Sequence, residues 1–357
     1  MLMQTAGLIA LFLTTYIVFG QIVRLLNSAL QTKTVYEVKF DIVFYILAVL
    51  ASACFGLYYT LPDLKDSIAA LGTTNLVLPF FFALLLYLVS LFDEKKILAI
   101  TTLILSEAAV FILVLPDALP YSHFIHPISG LSLLGVFLAL SVYAMMLLST
   151  LPFVFYTFLS SALLGLILIF YAGGLPYMTA LLATVFISVF LCLTQMSAAG
   201  KAIFIRRGGF VALSFLFLVV FSNISINELC APSFAILIGF AWCEMILACI
   251  VKYILKRSLQ TLDTQTICAL VYEKGLPDTA IMAAVFKILA LDILLSLFEL
   301  YAPNALTLPL LSLIMNIWLL TKLYHFDETS PTIKQANREL VEGIKSELKK
   351  VKKNFKS

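Results

Sequence analysis

Long apolar runs, separated by short clusters of charge, proline and glycine, dominate this chain from its first residues to about position 325. Read in a window of about 19 residues, they predict eleven membrane-spanning helices. These lie near 2–23, 42–61, 76–92, 97–119, 128–148, 151–172, 175–196, 210–227, 232–254, 281–301 and 305–324. The first run has neither a basic lead-in nor a small-X-small cleavage pattern, so it reads as a retained span rather than a signal peptide. The expected fold is all-α: a polytopic transmembrane bundle over 1–325, followed by a tail over 326–357.

The tail has a different period. Ile333, Asn337, Leu340, Ile344, Leu348, Val351 and Phe355 recur three and four apart, and Lys345, Lys349, Lys350, Lys352 and Lys353 occupy the opposite positions. That pattern predicts a basic amphipathic helix lying on an anionic leaflet. About three heptads are too few to favour a coiled-coil dimer.

Composition agrees with the pattern. Of 357 residues 62% are apolar and 12% are charged, about half the charge of an ordinary soluble domain. A water-soluble globule is excluded, and the lipid bilayer is the partner the composition demands. Charge then orients the chain. Of the 23 Lys and Arg residues, all but Lys65 and Lys287 fall after odd-numbered spans or in the tail. The positive-inside rule therefore predicts an outer N-terminus and a cytoplasmic C-terminus.

Other chemistry is sparse. No basic stripe interleaved with aromatics precedes the tail, so nucleic acid is not an expected partner. Cys54, Cys192, Cys230, Cys243, Cys249 and Cys268 are scattered with no Cys-X-X-Cys pair, which predicts neither disulfides nor a zinc site. His123 and His126 stand in a proline-rich outer loop without a third ligand, so they read as part of a turn.

The segment from Gly239 to Leu276 carries the most information. Glu244 lies within an apolar run, Lys256-Arg257 follow it, and Asp263 precedes a stretch ending at Gly275. This spacing resembles the ninth span and following loop of the polyprenyl-phosphate N-acetylhexosamine-1-phosphate transferases. In that family the loop carries histidines and then a short helix ended by glycine. Leu91-Phe92-Asp93-Glu94 resembles the family's paired aspartates, and the stretch 202–210, with Arg206-Arg207-Gly208-Gly209, resembles a later glycine-aspartate loop. The resemblance covers about residues 85–285, most closely after 239. It implies a bacterial inner (plasma) membrane location, a polyprenyl phosphate ligand and partners in envelope glycan assembly, either another protein or a second copy.

The same alignment shows what is missing. Such transferases use magnesium held by carboxylates to bridge the sugar-nucleotide pyrophosphate. The position of the family's acidic loop reads Ser149-Thr150-Leu151-Pro152-Phe153-Val154-Phe155-Tyr156, and no acid occurs between Asp117 and Glu228. Arg206-Arg207 replace a glycine-aspartate, and Thr266, Cys268 and Ala269 stand where the family has histidines. Asp93, Glu94 and Asp263 are the remnants, and Arg206, Arg207, Lys256 and Arg257 are candidate phosphate-binding residues.

Three functions follow from this reading. The first is a catalytically inactive family member, acting as partner, regulator or lipid-binding scaffold, with no metal or other cofactor. The second is a divergent magnesium-dependent transferase built around Asp93, Glu94 and Asp263. The third is a transporter using charges within spans, namely Glu107, Glu244, Lys287 and Asp292. Its plainer counterpart is that Lys287 pairs with Glu244 or Asp292 as structural glue. The first is the expectation.

Overall fold

The computed structural model describes residues 2–31, 42–60, 73–91, 95–110, 112, 127–172, 177–198, 207–227, 231–254, 266–301 and 307–326. Among these there are twelve helices and no strand: α1 (Leu2–Gln31), α2 (Ile42–Thr60), α3 (Thr73–Ser90), α4 (Lys95–Ala109), α5 (Pro127–Leu148), α6 (Pro152–Ala172), α7 (Tyr177–Ala198), α8 (Arg207–Asn227), α9 (Ala231–Ile254), α10 (Ile267–Glu273), α11 (Asp278–Tyr301) and α12 (Thr307–Phe326). Each helix except the seven-residue α10 falls on one predicted apolar segment. The basic tail, the 116–126 loop with its histidines, and Cys230 lie outside the described residues.

Helices are the outcome because a chain in lipid must satisfy its own backbone polar groups. Among the described residues, α6, α9, α11 and α12 are long and apolar enough to cross a membrane, and six shorter helical stretches are also apolar. The molecule is an integral membrane protein. Hydroxyl side chains are tolerated inside it because they bond back to carbonyls of their own helix, as Thr157 does to Phe153 (2.7 Å) and Thr194 to Phe190 (2.8 Å).

α6 stands at the centre, packed along α7 and α11 and touching α5 and α9. Its connection to α5 is a tight turn in which Ser149, Thr150 and Leu151 donate to the carbonyls of Met146, Leu147 and Leu148. Pro152 then opens α6 at a position where its lacking N–H costs nothing. Gly165 lets α6 approach α9 and α11 closely: a Cβ there would stand 2.6 Å from Leu237 Cδ2 and 3.0 Å from Ile293 Cγ1. At the α3–α8 contact Gly208 fits against Ser90 so tightly that no side chain could replace its hydrogen.

The direction of α1 differs from the sequence expectation. Tyr16 Oη donates to Gln195 Oε1, while Gly20 lies opposite Cys192, whose Sγ would be 3.6 Å from a Cβ at position 20. The residue numbers run in opposite senses, so α1 is antiparallel to α7. Strict alternation from an outer N-terminus would make these first and seventh spans parallel. Gly20 faces Cys192 of α7 across this contact.

Candidate functional site

Two features stand apart from ordinary helix packing: a buried polar seam among α9, α10, α11 and α12, and a cavity among α1, α6, α7 and α11.

The seam begins with α10, whose seven residues are too few to bury a face alone. It is held inside the bundle against α9, α11 and α12, with Ile267, Cys268, Ala269 and Val271 buried. A helix start in such a place exposes backbone N–H groups that must find acceptors. Glu244 on α9 supplies them: its carboxylate accepts from Ile267 N (2.7 Å) and Cys268 N (3.2 Å). Thr266 caps the same end and accepts from Ala269 N (3.2 Å), and its hydroxyl reaches Thr150 at 3.3 Å. The first three N–H groups of α10 are thus satisfied, with a carboxyl group at the start of the helix.

The other end of α10 closes equally well. Gly275 has φ 98°, Gly275 N donates to Tyr272 O (2.9 Å) and Leu276 N to Val271 O (3.3 Å), the paired bonds of a Schellman cap. Lys274 Nζ rests 3.5 Å from the centre of the Tyr324 ring, tying α10 to α12.

Further along the seam, Asp292 on α11 is buried and accepts from Ser312 Oγ (2.6 Å) and Asn316 Nδ2 (2.9 and 3.2 Å), both on α12. Cys243 Sγ lies 3.4 Å from Leu313 O, and Ser233 Oγ donates to Ser296 O (3.0 Å). Glu299, buried at the far end of α11, continues the line at four- and three-residue steps from Asp292 and Ser296. The sequence reading missed Glu299, Ser312 and Asn316. The spacing 292–296–299 was the available signal, since polar residues on one helical face within an apolar run turn inward.

Lys287 does not join this seam. It is exposed, and among the described residues it makes no ion pair with Glu244 or Asp292. Its place on α11 explains this: Asp292 lies five residues on, which turns the two side chains to different faces. Glu107 is only half-buried, on α4, with its carboxylate against Gly135 of α5, where a Cβ would meet it at 2.5 Å. Of the four charges expected within spans, Glu244 and Asp292 are buried, Glu107 is half-buried and Lys287 is exposed.

Of the transferase-like residues, Asp93, Glu94, Arg206, Lys256, Arg257 and Asp263 lie outside the described residues. Arg207 opens α8, and its Nε lies 3.4 Å from Met146 Sδ. Residues 149–156, which the resemblance sets against the family's acidic loop, carry aromatic side chains that pack against neighbouring helices. Phe155 meets Phe210 edge-on at 5.0 Å between ring centres, Tyr156 lies 6.1 Å from the same ring, and Phe153 is 6.2 Å from Tyr272. The residues described there hold no carboxylate for the magnesium that the resemblance implies, and Asp93, Glu94 and Asp263 lie outside the described residues. Apolar rings and an arginine offer no hard anionic oxygen, and among the described residues no three of His, Cys, Asp or Glu converge.

The cavity holds about 660 Å³ and is almost wholly apolar, with Phe12, Leu164, Ile187 and Phe286 among its walls. Thr157, Ser160, Ser161, Thr184 and Thr194 add hydroxyls, three of which already bond within their own helices. Ile9 and Phe286, 60% and 52% exposed, stand on the surface that lipid would cover, so the cavity opens sideways toward the bilayer.

No family model, no curated protein and no solved structure matches this chain.

Proposed function

We propose that this protein holds the hydrocarbon chain of a polyprenyl phosphate, as a catalytically inactive relative of the polyprenyl-phosphate N-acetylhexosamine-1-phosphate transferases in a bacterial inner membrane. The cavity among α1, α6, α7 and α11 carries this reading. At about 30 Å³ for a water-sized group, its 660 Å³ accommodates about twenty carbon-sized groups, and an apolar cleft with a few polar groups suits such a chain. The aromatic plug of Phe153, Phe155, Tyr156 and Phe210 supports the loss of transfer, because it occupies the position where metal-holding carboxylates would be needed. In this reading the basic tail lies on the cytoplasmic leaflet, and an envelope-biosynthesis protein or a second copy uses the lipid so held.

Two measurements test it. Lipid extracted from the protein purified in mild detergent should contain polyprenyl phosphate, and Ala283→Trp, at the cavity wall, should deplete it. Finding no such lipid on the native protein would remove the binding half of the proposal. UDP-sugars, polyprenyl phosphate and magnesium should release no UMP. Turnover abolished by Asp93→Ala would restore the divergent-enzyme reading.

A further inference from the structure

The cavity among α1, α6, α7 and α11 has a cation beside its opening that helix packing does not account for. Lys287 is exposed on α11, and among the described residues it makes no hydrogen bond or ion pair. It follows Phe286, which stands at the opening, and it lies one turn beyond Ala283, an exposed residue of the cavity wall. A long side chain on a helix leans back over the turn that precedes it. The Lys287 stem therefore passes along the Ala283 side of the opening and carries its ammonium toward the start of α11.

Depth makes this placement costly. Asp278 opens α11, which sets the Lys287 backbone about 14 Å along the helix axis, close to half the roughly 30 Å thickness of bilayer hydrocarbon. A cation on a lipid-facing surface at that level needs an anion or a path to water. Among the described residues the protein supplies no such anion. The cavity walls from all four helices contain no ionisable side chain, and the acids of α11 are Asp292 and Glu299 on its buried face and Asp278 at its start.

We infer that Lys287 binds the phosphate of a single-chain lipid whose tail fills the cavity. The inference rests on the lipid-holding reading and gives it a headgroup contact. Room for about twenty carbon-sized groups takes one chain, so the two-chain phospholipids of the surrounding bilayer do not fit, and the single tail brings one phosphate to this lysine. The ammonium is a compact charge with three donors, which suits the oxygens of a terminal phosphate. The lipid anion supplies the charge that the cavity walls lack, and the apolar cavity supplies the choice of chain.

The test measures binding of geranylgeranyl phosphate and geranylgeraniol, the same tail with and without the charge, to the full-length protein in nanodiscs of zwitterionic phospholipid. The native protein should prefer the phosphate by about tenfold. Lys287→Gln should erase that preference, Lys287→Arg should keep most of it, and Ala283→Trp should weaken both ligands alike. Because Lys287 is exposed, its variants should melt with the native protein. Equal native affinity for the two ligands, or a preference that survives in Lys287→Gln, would overturn the assignment of Lys287 and leave the lipid-holding reading standing. An equal loss of retained phosphatidylglycerol from Lys287→Gln would make the lysine an anchor for any anionic lipid, which also overturns it. Binding of neither ligand to the native protein would overturn the inference together with the lipid-holding reading.

Discussion

α6 and α11 are equally hydropathic over their most apolar stretches, yet 83% of that stretch is buried in α6 and 39% in α11. In water, equal apolarity would mean comparable burial. In a bilayer, lipid tails and protein side chains are alike in polarity, so hydropathy selects helices that cross but not helices that lie inside. α6 is enclosed because Gly165 and a run of close-fitting side chains let neighbours approach on every side. α11 is half-exposed, and its inward face is marked by Asp292, Ser296 and Glu299, while Phe286, Leu294 and Phe298 turn outward. Shape orders the first helix and polarity orients the second.

The sharpest way to break this contrast is at Glu244. Glu244→Ala should leave two buried N–H groups of α10 without acceptors, at about 1–3 kcal/mol each, and melt the protein well below its native temperature. Glu244→Gln, which keeps one carbonyl oxygen, should recover part of the loss. Equal melting of both variants would show that α10 does not depend on the carboxylate.

A paired phenylalanine comparison follows. Phe158 on α6 is fully buried against Phe240, with rings 6.0 Å apart, whereas Phe298 on α11 is 63% exposed. Phe158→Ala should cost about 3–5 kcal/mol and Phe298→Ala under about 1 kcal/mol, because lipid replaces the lost contacts. Thermal or detergent-induced unfolding of the two variants in the same bilayer reads the difference, and equal losses would erase the distinction between inner and outer helices.

Overpacking should separate the helices more gently. Gly165→Ala forces a methyl to within 2.6 Å of Leu237 and should cost about 1–3 kcal/mol, while Ala283→Leu on the exposed face of α11 should change stability little. A smaller loss than at Gly165 is expected at the seam's neutral partner. Ser312→Ala removes one hydrogen bond to Asp292, worth about 0.6–1.7 kcal/mol between membrane helices, and thermal unfolding measures it.

The sequence by itself determined the class of protein and nearly the whole list of long helices, because an apolar run of sufficient length has one low-energy state in lipid. It also marked Glu244 and Asp292 as positions that must turn inward, since an ionisable group cannot face hydrocarbon cheaply. Tertiary structure alone decided what those acids do. Glu244 caps a helix that begins 23 residues later, and Asp292 meets Ser312 and Asn316 across an interface. It decided equally that Lys287 stays outside, that the rings of Phe155 and Phe210 meet edge-on, and that α1 runs against α7. Each of these depends on which helix faces surround one another, and side-chain shape sets that, because between lipid and protein there is too little difference in polarity for hydropathy to record it.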